Sequence, residues 1–166
     1  MYIEELNQDI AIASVVEAES LVVGQPGYWN VISICDGLAD VAWLVGARNL
    51  LQLYFDDVED MYLSLGGVMA TKEDITRALE FSRKIKREPL LIHCTAGVSR
   101  STAMAWIITC DKLRGRPDAA RKALEIVRAV RPTLMPNRHV LKLGIAVLGK
   151  GRAEREQLRR DLAPVL

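Results

Sequence analysis

The stretch Leu90 to Ser101, Leu-Leu-Ile-His-Cys-Thr-Ala-Gly-Val-Ser-Arg-Ser, constrains the fold of this chain more than any other. A short apolar run, five mostly small residues between Cys94 and Arg100, and a following apolar segment predict a strand, a tight loop and a helix. In such a turn the loop amides converge. The helix beginning near Ser101 adds unpaired N–H groups and the positive end of its dipole. The result is a cradle for a tetrahedral dianion. Gly97 lets the backbone curl without a Cβ clash, and Arg100 offers a planar fork for bidentate contact with anionic oxygens. The backbone of Thr95, Ala96, Gly97, Val98, Ser99 and Arg100 lines the cradle and Cys94 lies at its floor, where the groups that attract a dianion also stabilise a thiolate. Ser101 brings a hydroxyl within reach of that sulfur. His93 either hydrogen-bonds backbone behind the loop or is simply a buried, satisfied histidine.

The rest of the composition narrows the class. A chain of 166 residues suits one domain, burying roughly 70% of its unfolded surface. Twenty-two basic against 21 acidic residues leave a net charge of +1, which gives no reason to expect nucleic acid or an anionic membrane as partner. Three widely spaced cysteines, Cys35, Cys94 and Cys110, argue for a reducing compartment rather than a disulfide framework. Two histidines without paired ligand spacing give little basis for a metal site. The opening Met1-Tyr2-Ile3-Glu4-Glu5 is acidic where a secretion signal would be basic, and no apolar run reaches membrane-spanning length, so a cytoplasmic location is expected.

Along the chain, Ile10–Val16 and Ser20–Val23 are rich in β-branched residues and read as strands at a sheet edge. Asn30–Ile34 reads as a buried strand ending at Cys35-Asp36-Gly37, with a short helix expected around Leu38–Val45. Leu50–Phe55 is the next strand and delivers Asp56-Asp57 at its carboxyl end. Thr71-Lys72-Glu73-Asp74 opens a helix by a capping-box pattern, with Ile75, Ala78, Leu79, Ser82 and Ile85 on one face. Leu90–Ile92 is a central strand, and Ser101–Leu113 is apolar nearly all round, as a buried helix is. Gly115 ends it. A further helix starts after Pro117, with Ala120, Leu124, Val127 and Val130 inward. Pro136-Asn137 opens another through Leu148, and Lys150–Arg160 reads as an exposed charged segment. Strands alternating with helices imply an α/β fold with a mainly parallel central sheet flanked by helices, and a ligand site at the strands' carboxyl ends.

His93-Cys94-Thr95-Ala96-Gly97-Val98-Ser99-Arg100-Ser101 resembles the phosphate-binding loop of the cysteine-based protein tyrosine phosphatases. The form Ala-Gly-Val-Ser-Arg-Ser is most similar to the dual-specificity and compact bacterial branches. The resemblance implies a three-layer sandwich over about residues 28–148, with 149–166 as a charged C-terminal segment. It also implies phosphomonoester hydrolysis through a phosphocysteine, with Cys94 as nucleophile, Arg100 and the loop amides on the phosphate, Ser101 helping the sulfur leave, and no metal or cofactor. Attack by Cys94 expels an oxyanion, and a carboxylic acid on a neighbouring loop must protonate it. Phe55-Asp56-Asp57 is the best-placed source. Family members similarly carry this acid some thirty residues ahead of the cysteine, several in a Phe-Asp-Asp context where the second Asp serves. That favours Asp57, 37 positions ahead of Cys94, with Asp56 as the alternative. Asn137 resembles a family position that braces the phosphate loop from the following helix, and a helix N-cap is an equal and compatible reading.

Cys35 follows a strand expected beside that of Cys94, so a reversible Cys35–Cys94 disulfide is a further hypothesis. Cys110 and the three tryptophans read as core. A loop without lysine favours phosphorylated protein or peptide as substrate, phosphotyrosine first. An inositol-phosphate or other small-molecule phosphatase, a non-catalytic phosphate-binding module, and a sulfur-transfer or arsenate-reducing enzyme are the rivals.

Overall fold

The computed structural model describes residues 1–36, 42–60 and 66–163. The elements are β1 (Tyr2–Ile3), a short 3-10 turn (Glu4–Leu6), β2 (Gln8–Ala13), α1 (Val15–Gly24), β3 (Asn30–Cys35), β4 (Asn49–Tyr54), α2 (Lys72–Ile85), β5 (Leu90–His93), α3 (Arg100–Lys112), α4 (Ala119–Val130), α5 (Arg138–Leu148) and α6 (Arg152–Leu162). The strands form one sheet in the order β1-β2-β5-β3-β4. All pairs are parallel except β1 with β2.

Side-chain alternation along the strands divides the core into two layers. Ile10, Ile12, Ile32, Ile34, Leu90 and Ile92 belong to the larger layer, with residues of α2 to α6. Val31, Leu91 and Ala13 face the other way onto Ala18 and Val22 of α1 and onto Trp29, Ala42 and Leu44. Helix α3 lies deepest, with every residue from Arg100 to Cys110 buried, as its lack of a polar face requires. On α2, Thr71 caps Asp74 reciprocally, and the expected inner face of Ile75, Ala78, Leu79, Ser82 and Ile85 is buried.

The register sets up the site. Ala13 and Ser33 both pair with His93, and Cys35 pairs with Tyr54. The segments after β2, β3, β4 and β5 therefore leave the sheet along one edge, where open α/β sheets bind ligands.

Several sequence expectations are corrected. Ser20–Val23 is not a strand but the end of α1, and the preceding strand stops at Ala13. The deciding signal is Ser14-x-x-Glu17, a capping box in which Ser14 Oγ accepts from the Glu17 amide (3.3 Å) and Glu17 Oε2 from the Ser14 amide (2.7 Å). It outweighs the β-branched composition once Ala18 and Val22 have a sheet to pack on. Strand β2 is also not an edge strand, since the two-residue β1 takes that place. The terminal charged segment is not wholly exposed, because α6 buries Leu158 and Leu162 in the main layer. With Ile10 and Ile12, these carry the core past the 28–148 span. The helix expected around Leu38–Val45 falls partly outside the described residues, and 42–45 are not helical. Among the described residues no helix is long and apolar enough to cross a membrane.

Helices α3 and α5 meet at Gly144, where a Cβ would stand 2.4 Å from Ile107 Cγ1. Gly144→Ala is expected to destabilise the fold by about 1–3 kcal/mol through overpacking. Thermal or urea denaturation measures this, and an unchanged midpoint would show that the interface has slack.

Candidate active site

Cys94 is 1% exposed, at the floor of a loop that joins β5 to α3. Its Sγ accepts from the Gly97 amide at 3.3 Å and lies 3.3 Å from Ser101 Oγ, so a loop amide and a buried hydroxyl both converge on the sulfur. Ser99 occupies the N-cap of α3 but makes no capping hydrogen bond with its side chain. The first-turn amides are thereby left for a ligand. Gly97 has φ +71°, and a Cβ there would stand 2.4 Å from the Ala13 carbonyl carbon and the Ser14 nitrogen. Only glycine fits, because the loop curls directly against the end of β2.

The loop is held from outside. Val15 N donates to Thr95 O (3.2 Å), Met135 N to Val98 O (3.0 Å) and Asn137 N to Ser99 O (3.3 Å). Thr102 Oγ1 donates to Val98 O at 2.5 Å. Arg131 donates through Nη2 to Ala96 O (3.3 Å) and through Nη1 to both carboxylate oxygens of Glu17 (3.0 Å). The Ser14 amide and the Arg131 guanidinium hold the Glu17 carboxyl down at about 2. These contacts occupy the backbone carbonyls of Thr95, Ala96, Val98 and Ser99.

Arg100 is 2% exposed. Its Nη1 donates to Phe55 O at 2.8 Å and to Asp36 Oδ1, and its Nη2 donates to Thr95 Oγ1 at 3.0 Å. Thr95 Oγ1 in turn donates to Asp36 Oδ2 at 3.0 Å. Nε is buried with no hydrogen-bond partner. Two donors remain on the fork, Nε–H and one Nη2–H, enough for two oxygens of a bound anion.

Asp57 is docked onto this loop. Its Oδ1 accepts from Ser99 Oγ at 2.6 Å and from Asn137 Nδ2 at 2.8 Å. Asp56 is turned away: its Oδ2 accepts from Val68 N (2.6 Å) and its amide donates to Val68 O (2.7 Å), closing the base of the loop between β4 and α2. Asn137 is the expected N-cap of α5. Its Oδ1 caps α5 by accepting from Val140 N (2.9 Å), its backbone amide donates to Ser99 O of the Cys94–Arg100 loop (3.3 Å), and its side-chain amide is given to Asp57.

Solved structures with the same arrangement of elements were found. The PTP-2 phosphatase of Cydia pomonella superposes with a TM-score of 0.60 at 22% identity, over 86% of this chain and 88% of its own. DUSP15 gives a TM-score of 0.59 at 19% identity, over 91% and 90%. PTPMT1, solved in complex with PI(5)P, gives 0.54 at 16% identity, over 95% of both chains. The fold is that of the cysteine-based protein tyrosine phosphatases. No protein-family model matches the sequence, and no curated protein does. At these identities the likeness establishes architecture alone.

This tyrosine phosphatase fold also buries His93, Cys35 and Cys110. The ring of His93 is buried, with the Cys94 backbone as its hydrogen-bonding neighbour. Burial pushes its pKa down to about 4, with the Cys94 backbone offsetting part of that. All three cysteines are free thiols in this structure. Alternation directs Cys35 away from the layer that holds Ile34 and Cys94, and its Sγ sits 3.2 Å from Ser33 Oγ instead. Cys110 is core, with burial raising its thiol to about 12. Of the tryptophans, Trp29 and Trp106 are buried and Trp43 is 71% exposed, which corrects its reading as packing. Among the described residues no group of three or more His, Cys, Asp or Glu could hold a metal.

The sequence reading missed Asp36, Arg131 and Glu17. Asp36 carried a faint signal, an acid directly after a strand of the same sheet. The link from Arg131 to Glu17 spans 114 positions and has none.

The neutral burial of His93 has a pH consequence. Above pH 6.5 the ring is uncharged folded or unfolded. Between 6.5 and about 4 the unfolded chain gains a proton that the folded chain refuses, so stability falls as pH falls, by about 3 kcal/mol in full. Unfolding free energies of wild type and His93→Asn at pH 7, 6 and 5 should show the variant losing less on acidification. Parallel lines would mean that His93 does not stay neutral.

Proposed function

We propose that this chain is a phosphomonoester hydrolase that dephosphorylates phosphotyrosine in proteins, with phosphoserine and phosphothreonine as further substrates, through a phosphocysteine intermediate. The observation that carries the reading is the docking of Asp57 through Ser99 Oγ, at 2.6 Å, onto the same loop that cradles Cys94. A phosphate-binding module needs no carboxylic acid there, and a sulfur-transfer enzyme has no leaving oxygen to protonate.

The reaction follows from the groups in place. In the first step the Cys94 thiolate attacks phosphorus in line, the S–P bond forms and the P–O bond to the leaving group breaks. Asp57 gives its proton to the departing oxygen. Because Oδ1 is engaged by Ser99 and Asn137, Oδ2 is the oxygen that carries that proton. In the second step water attacks the phosphocysteine, Asp57 takes a proton from it, and the electron pair of the S–P bond returns to Sγ. Ser101 Oγ, 3.3 Å away, donates to the leaving thiolate. Arg100 and the loop amides stabilise the equatorial oxygens in both steps, so the chemistry asks for no metal.

The loop places no cationic side chain beside Arg100, which supports a phosphoprotein over a polyphosphorylated small molecule. The likeness to PTPMT1, whose structure holds PI(5)P, keeps a phosphoinositide or inositol phosphate as the second reading.

Hydrolysis of a phosphotyrosine peptide without added metal is expected for wild type and absent for Cys94→Ser. Asp57→Asn should lose about 10²–10⁴ in kcat, and Asp56→Asn less than tenfold. If Cys94→Ser kept full turnover, the mechanism would be wrong. If wild type ignored peptide but turned over phosphoinositides, the chemistry would stand and the substrate class would change.

A further inference from the structure

Asp57 stands just past the end of β4 in irregular backbone, where only contacts with other parts of the chain can fix a carboxyl group. Ser99 Oγ and Asn137 Nδ2 hold its Oδ1. Two residues on, the exposed Glu59 reaches the same helix by a different route: its Oε1 accepts from the backbone amide of Arg138, the first residue of α5, at 2.7 Å. Between them, Val58 O accepts from Asn137 Nδ2 at 3.4 Å. Asp57, Val58 and Glu59 are thus all tied to the N-terminus of α5. Just ahead of α2, Ala70 O lies 2.9 Å from Nε2 of His139, the next residue of that helix. The Glu59 bond joins a charged acceptor to a first-turn amide that has no partner within the helix, at the positive end of the helix dipole.

We infer that Glu59 is a positioning residue for the general acid. Its carboxylate, moored on α5, fixes the backbone on the far side of Asp57 and so keeps Asp57 docked on Ser99 for proton transfer. The inference rests on reading Asp57 as the acid of the proposed hydrolysis. It adds that a glutamate outside the cradle, with no contact to Cys94, sets how often that acid is in place. Without it Ser99 and Asn137 must hold the segment by themselves, and Asp57 spends part of its time undocked.

The test separates leaving groups. kcat/KM reports the step in which Cys94 takes the phosphoryl group and the leaving oxygen is protonated. A tyrosyl oxygen needs that proton, whereas p-nitrophenolate, a far weaker base, leaves with little help. Glu59→Ala should lower kcat/KM about fivefold for a phosphotyrosine peptide and less than about twofold for p-nitrophenyl phosphate. Glu59→Gln keeps an acceptor for the Arg138 amide and should recover most of the loss. Arg138→Pro removes the donor of the same bond: proline is favoured at the first helical position, and Asn137, at φ −56° and ψ 118°, already has a conformation that proline accepts before it. It should reproduce the loss, also where Glu59→Ala fails to fold, and the double variant should lose no more than either alone. In an Asp57→Asn background Glu59→Ala should change nothing, because its action runs through Asp57. An equal loss on both substrates, or a loss that persists in Asp57→Asn, overturns the inference by showing that Glu59 supports the cradle rather than the acid. Undiminished peptide turnover in Glu59→Ala and Arg138→Pro overturns it as well. If Asp57→Asn itself costs nothing, the assignment of the acid falls and this inference with it, a result distinct from failure of the Glu59 variants alone.

Discussion

A guanidinium that is 2% exposed cannot be left without partners, and much of the site follows from how this chain satisfies Arg100. Its hydrogen bonds reach Asp36 after β3, Phe55 O after β4 and Thr95 after β5. One buried cation thus ties together the ends of three parallel strands, two of them neighbours of β5 or of each other in the sheet order. The same tie leaves two donors of the fork, Nε–H and one Nη2–H, unused.

Around that tie, the loop is shaped by close packing rather than by its own propensity. Gly97 curls against the Ala13–Ser14 backbone with no room for a Cβ, and the neighbouring carbonyls are taken up by Val15, Met135, Asn137 and Arg131. Beneath it, α3 is buried through its first three turns and gives the loop a rigid floor. A mobile loop would have to be ordered each time an anion bound. This one is held from outside, with the Gly97 amide already directed at Sγ.

Much of this was legible in the sequence because local patterns carried it. The apolar run at Leu90–Ile92, the all-round apolar Ser101–Leu113 and the Thr71–Asp74 capping box each specify one element without help from elsewhere. The mainly parallel sheet followed from their alternation. Where local signals competed, composition misled: Ser20–Val23 has strand-like residues, yet the Ser14–Glu17 cap and a sheet face for Ala18 and Val22 make it helix. Contacts between distant segments were not legible. Asp36 on Arg100 and Glu17 on Arg131 depend on which strand ends lie side by side. The orientation of Asp56 away from the loop depends on Val68, twelve residues on.

The central claim is that Cys94 takes the phosphoryl group itself. Mixing the protein with a radiolabelled phosphotyrosine peptide, quenching under denaturing conditions within the first turnovers and mapping the label by mass spectrometry tests it most directly. The account predicts a transient phosphoryl group on the peptide containing Cys94, and on no other. Turnover with no phosphoenzyme at any quench time, or with the label on a different residue, would contradict it.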